Sequence, residues 1–166
     1  MKLSHIPPRL ATGAFIVNSG FTKLSADDDT AKGIHGMASG AYPVVNNIEP
    51  RDFVKGLALG EIAVGSTLLA PFVPAWLAGA VLTGFSSGLV GLYLKTPGMT
   101  QEDSVRPTSQ GTPLAKDVWM LGTGLGLLID GLSPSRSKRR AVRKAARKPI
   151  RKLDVARAQA RRTFQH

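Results

Sequence analysis

Five side chains, Asn18, Lys23, Glu61, Lys116 and Asp117, fall where polar and ionisable groups are costly, within stretches of sequence that are otherwise apolar. Two acids and two lysines gathered at low dielectric could hold a proton, grip the head of a quinone, or bind another small ligand. The same charges could instead form a salt-bridge network that only fixes helix register. Other chemistry is thinly represented. The chain has no cysteine, so it cannot cycle a disulfide or hold a thiolate-bound metal or an all-cysteine iron–sulfur cluster. His5, His35 and His166 are not spaced to share a helix face, which argues against haem ligation and leaves no expected metal site. His35 reads as a surface residue. Ser86 and Ser87 have no candidate base nearby in sequence, so neither reads as a nucleophile.

The spacing of the charges makes a pairing prediction. Arg9, Thr12, Ile16, Ser19 and Lys23 share one face at the 3.6-residue period. Lys116, Thr123 and Asp130 recur at seven-residue intervals, with Asp117 beside the first. Arg9 to Lys23 and Asp117 to Asp130 each span about 20 Å of helix. If the two helices run antiparallel, Arg9 meets Asp130 at one end and Lys23 meets Asp117 at the other. Glu61 should lie roughly 12 Å below the same surface as Lys23, level with Asn18. These residues are expected to make one polar cluster of Glu61, Lys116, Asp117, Lys23 and Asn18.

The elements that must position them are set by apolar continuity. Residues 62–94 contain no charged side chain. One helix of that length would reach about 50 Å, well beyond a bilayer core of about 30 Å. Pro71 and Pro74 divide the run into two spans, placed near 53–72 and 75–95. Trp76, Tyr93 and Lys95 are suited to the membrane interfaces. Flanking stretches at 6–24 and 113–132 are weaker, but beside an apolar hairpin they read as two further spans. Pro7 and Pro8 fit the first turn of the earliest one. It is read as a retained helix rather than a signal peptide. The expected fold is therefore an all-α membrane protein, a four-transmembrane-helix bundle over residues 1–132, with outer segments 25–51 and 96–112. Part of the first outer segment, from Gly33 to Val45, reads as a short amphipathic surface helix. Gly56/Gly60, Gly84/Gly88 and Gly122/Gly126 are expected to let the helices pack closely.

Charge is divided unevenly. The whole chain carries +11, with 22 Lys and Arg against 11 Asp and Glu. The surplus lies in residues 133–166, so a basic protein is not here a basic domain. A dense Lys/Arg run next to a span belongs on the cytoplasmic side, which puts both termini inside. Arg136, Lys138, Arg139, Arg140, Arg143, Lys144, Arg147 and Lys148 are expected to bind anionic lipid. No aromatic residues interleave these charges, which weighs against nucleic acid as the partner.

Arg9-Leu10, the run Asn18-Ser19-Gly20-Phe21-Thr22-Lys23-Leu24, Glu61 followed by Gly65, and Lys116-Asp117 together resemble DoxX-type membrane proteins. The resemblance covers about residues 6–132 and leaves out the basic tail. It implies a four-helix membrane bundle in a bacterial plasma membrane, as an integral subunit of an oxidoreductase assembly. Redox protein partners and a quinone follow as expectations, with Lys23, Glu61, Lys116 and Asp117 as the matching site positions. Catalysis by this chain alone is not expected. The alternative is a non-catalytic scaffold, assembly factor or small-molecule binder whose intramembrane charges serve structure only.

Overall fold

The computed structural model describes residues 2–133. Among them the chain is helical, with one isolated bridge between Thr100 and Pro107 in place of any strand. A 3-10 turn, Leu3–His5, leads into α1 (Ile6–Leu24). α2 is Asp28–Ala41, followed by a second 3-10 segment, Pro43–Asn47. α3 (Pro50–Leu69) and α4 (Ala75–Lys95) form the apolar hairpin, and α5 (Thr112–Ala115) precedes α6 (Val118–Leu132).

Proline chemistry explains the boundaries. α1 accepts Pro7 and Pro8 in its first turn, and α3 starts with Pro50. Pro71 drives Ala70 into an extended conformation, so α3 ends at Leu69. The expected span 53–72 is thus shifted toward the N-terminus by three residues, whereas 6–24 and 75–95 match α1 and α4 at both ends. The expected span 113–132 is interrupted: α5 ends at Ala115, Lys116 and Asp117 lie in a turn, and α6 has 15 residues.

The helix in the first outer segment begins earlier than the expected Gly33–Val45: α2 starts at Asp28 and ends at Ala41, and Pro43 opens a separate 3-10 segment. Asp27 caps α2 by accepting from the Thr30 amide at 2.8 Å, and Asp28 and Asp29 occupy the first turn. Hydrogen bonding from Thr30, side chain first and amide second, holds the Asp27 carboxyl below its usual range. Ala31, Ala38 and Ala41 are buried where α2 packs on α3 and α4. His35 is half-buried; its Nε2 donates to the Val45 oxygen at 3.1 Å and its ring meets Phe53 edge-on.

The core joins two tightly packed helix pairs, α1 with α3 and α4 with α6. Ile16, Val64, Leu68, Ala78, Leu82 and Leu127 meet at its centre. Glycine makes the close approaches, but not the glycines expected. A methyl group on Gly20 would lie 2.7 Å from the Ala58 oxygen, and one on Gly79 would lie 2.7 Å from the Gly124 oxygen. Gly13 and Gly65 oppose each other in the same way. Gly56, Gly60, Gly84, Gly88, Gly122 and Gly126 all face open space. The i,i+4 spacing finds small residues, yet on these helices none of the six sits at a close helix–helix approach.

α4 is the one described helix long and apolar enough to cross a membrane by itself, and 28% of its most apolar stretch is buried. Its serine and threonine hydroxyls are satisfied within the helix. Thr83 donates to the Gly79 oxygen, Ser86 to Leu82 and Ser87 to Thr83. Each of these hydroxyls thus has a partner one turn back along its own helix.

Candidate functional site

Two polar centres occupy opposite ends of the bundle. At the end where α1 finishes and α3 begins, Glu61 is buried with 5% exposure. It lies eleven residues into α3, about 16 Å along the helix. Lys23, in the last turn of α1, bends back one turn to reach it. Its Nζ lies 3.0 Å from both carboxylate oxygens and donates to Ser19 Oγ at 2.7 Å. The amphipathic lysine stem covers the intervening distance.

Lys116 and Asp117 approach the same region from the turn between α5 and α6. Asp117 is within electrostatic reach of Lys116, Glu61 and Lys23. Lys116 Nζ lies 5.6 Å from the centre of the Phe15 ring, a cation–π distance. A groove of about 380 Å³ opens between α1 and α6, with Lys116 and Asp117 on one wall and Thr12, Phe15, Trp119 and Met120 around them. Asn18 does not join this group. It lines a separate cavity of about 560 Å³ toward α2, with Ser19, Thr22 and Lys23.

Lys23 therefore pairs with Glu61 and not with Asp117. The reason is packing: α1 lies along α3 through Gly13, Gly20 and Gly65, so α3 offers the nearest acid.

The other expected pair, Arg9 with Asp130, is also absent. Arg9 is 1% exposed and reaches the C-terminus of α3. Its guanidinium donates to Leu68 O at 2.7 Å, Ala70 O at 2.8 Å, Val73 O at 3.0 Å and Thr67 O at 3.2 Å. A helix end leaves such carbonyls without intrahelical partners and carries partial negative charge, and the planar five-donor fork of arginine suits it. Asp130 is held instead by Lys2, 2.7 Å away, and by His5 Nε2. His5 is buried, and its Nδ1 has no partner. Sequence reasoning assigned no role to His5. The available signal was its i,i+4 relation to Arg9, which extends the same α1 face by one turn.

Among the described residues no three metal-capable side chains converge. The tail positions Arg136, Lys138, Arg139, Arg140, Arg143, Lys144, Arg147 and Lys148 lie outside the described residues. No family model, curated protein or solved structure matches the chain.

Proposed function

We propose that this chain is a four-span integral membrane protein that binds an amphiphilic small molecule in the groove between α1 and α6. Helix lengths support three of the four spans, and α6, with 15 residues or about 22 Å, completes the fourth only together with α5 and the Lys116–Asp117 turn. α1, α3 and α4 have 19, 20 and 21 residues, about 28 to 32 Å each, which suits a hydrocarbon core of about 30 Å. Surface chemistry supports them too. Trp119 is 80% exposed, Ile129 63% and Leu59 60%, a distribution that costs free energy in water and none in lipid. With the basic tail cytoplasmic, both termini and the 70–74 turn lie inside, and α2 and the 96–111 segment lie outside.

The observation that carries the ligand reading is the charge quartet itself. The buried Lys23–Glu61 pair lies within electrostatic reach of Asp117, which stands with Lys116 on the wall of an aromatic-sided groove. A quinone head would fit this chemistry: the Lys116 ammonium could donate to a carbonyl oxygen, and Phe15 and Trp119 would flank an aromatic ring. The carboxylates offer places for protons, while electrons come from a partner protein. The DoxX resemblance supports that setting, a redox assembly in a bacterial plasma membrane in which this chain is a non-catalytic subunit.

A second reading has its own observation. Lys23 and Glu61 satisfy each other, with Ser19 completing the lysine shell. A pair closed in this way fixes helix register without any ligand, as a scaffold or assembly factor requires.

Purification in mild detergent from native membranes, followed by mass spectrometry of what stays bound, separates the two. A retained quinone or redox protein that is lost in Lys116→Gln and Asp117→Asn supports the first reading. Recovery with phospholipid alone, and no phenotype from either substitution, supports the second.

A further inference from the structure

A different cavity lies on the far side of α3, between α2, α3 and α4. It holds about 560 Å³ and is lined by Ile34, Met37, Phe53, Leu57, Phe85 and Leu89 among others. Only Thr30 and Tyr42 bring side-chain oxygens to it, and the Tyr42 hydroxyl is engaged with the Gly88 oxygen at 2.8 Å. A space this apolar does not hold ordered water. Left empty, it would forfeit the dispersion contacts of its lining. The wall on α4 runs from Phe85 to Leu92, about 10 Å along the helix, and ends three residues short of Lys95.

Lys95 supplies the second feature. It is the last residue of α4, and its Nζ lies 4.7 Å from the centre of the Tyr42 ring, one wall of the cavity. Among the described residues no carboxylate pairs with it. An apolar slot with an uncompensated ammonium at its rim, at headgroup level, is complementary to an anionic lipid.

We propose that the α2–α3–α4 cavity holds one acyl chain of an anionic phospholipid, whose phosphate is met by Lys95. The inference rests on the membrane-spanning reading above, but not on the α1/α6 groove. Bound lipid would complete the packing of α2 against the bundle.

The test uses the full chain in nanodiscs of equal parts phosphatidylglycerol and phosphatidylcholine. Retained lipid is then counted by native mass spectrometry after transfer to mild detergent. Gly88 and Gly33 line the cavity, and a Cβ on either has no protein atom within 4 Å. Gly88→Leu and Gly33→Leu therefore add bulk at the slot, and an unchanged unfolding midpoint in detergent shows that each variant keeps the fold. Each should lower retained lipid by about tenfold, equivalent to about 1.4 kcal/mol. Gly84→Leu, also free of protein contact but outside the cavity, should leave it unchanged. The wild type should prefer phosphatidylglycerol by about fivefold, and Lys95→Gln should erase that preference while keeping a lipid bound. Equal retention of both lipids overturns the headgroup assignment. Unchanged retention in both filled variants overturns the cavity assignment, as does recovery of an isoprenoid instead of a phospholipid from native membranes. A chain that washes off membranes in high salt overturns the spanning reading instead, so the two failures are told apart.

Discussion

The guanidinium of Arg9 donates through Nε to the backbone oxygen of Leu68 at 2.7 Å, and so ties the first turns of α1 to the last turn of α3. Three further carbonyls, of Thr67, Ala70 and Val73, complete the contact across the hairpin turn. Hydrogen bonds to a charged group are worth about 1.5–3 kcal/mol each, and a buried polar group left unpaired costs a similar amount. Arg9→Met should therefore destabilise the bundle by about 3 kcal/mol, after allowing for relief of the buried charge. Arg9→Lys should be nearly as damaging, because an ammonium cannot serve four oxygens in a planar fork. Thermal unfolding in detergent checks both; a midpoint unchanged in Arg9→Met would remove Arg9 from the stabilising contacts.

The Lys23–Glu61 pair makes a different prediction. Each partner alone would leave a buried charge uncompensated, which typically costs 3–5 kcal/mol. Lys23→Met and Glu61→Leu should each destabilise, whereas the two together should recover much of the loss. A double-mutant cycle on thermal or denaturant unfolding reads the coupling, expected at about 2 kcal/mol. Strict additivity would mean that the two side chains do not depend on each other.

How far these contacts could be read from residue order differs between helix and partner. The ends of α1 and α4 follow from Pro7, Pro8, Pro74 and Lys95, because proline and charge act locally. α2 was only half legible: Gly33, Gly36 and Gly40 lower helix propensity, so the amphipathic stretch is read only from Gly33, five residues after the helix begins at Asp28. The charged residues themselves were visible, since Lys23, Glu61, Lys116 and Asp117 interrupt apolar sequence. Their partners were not. A matched spacing between Arg9 and Asp130 carries no information on which helices adjoin, and the close approaches at Gly13, Gly20 and Gly79 decide that. Nor does spacing reveal that the acceptors for Arg9 are backbone oxygens, which no side-chain pattern encodes.

The glycines allow a paired comparison. A methyl group at Gly79 would come within 2.4 Å of the Leu128 nitrogen, while one at Gly84 would meet nothing. Gly79→Ala should force α4 and α6 apart and cost about 1–3 kcal/mol, as overpacking does. Gly84→Ala, one and a half turns further along the same helix, should be neutral or slightly stabilising through helix propensity. Unfolding midpoints of the two variants in one detergent make the comparison, and equal losses would place both glycines on packed faces.

Topology can be tested through the absence of cysteine, since any introduced thiol is then the sole one in the chain. Phe72, in the turn between α3 and α4, is 85% exposed, and Gln101, in the segment after α4, is also exposed. Four spans with cytoplasmic termini put these positions on opposite sides of the membrane. Gln101→Cys should react with an impermeant maleimide in intact cells. Phe72→Cys should react only after the membrane is opened. The reverse pattern would invert the bundle and move the Lys23–Glu61 centre to the cytoplasmic half. Labelling of both in intact cells would mean that the α3–α4 hairpin does not cross, and the exposed faces of Leu59, Trp119 and Ile129 would then need a protein partner in place of lipid.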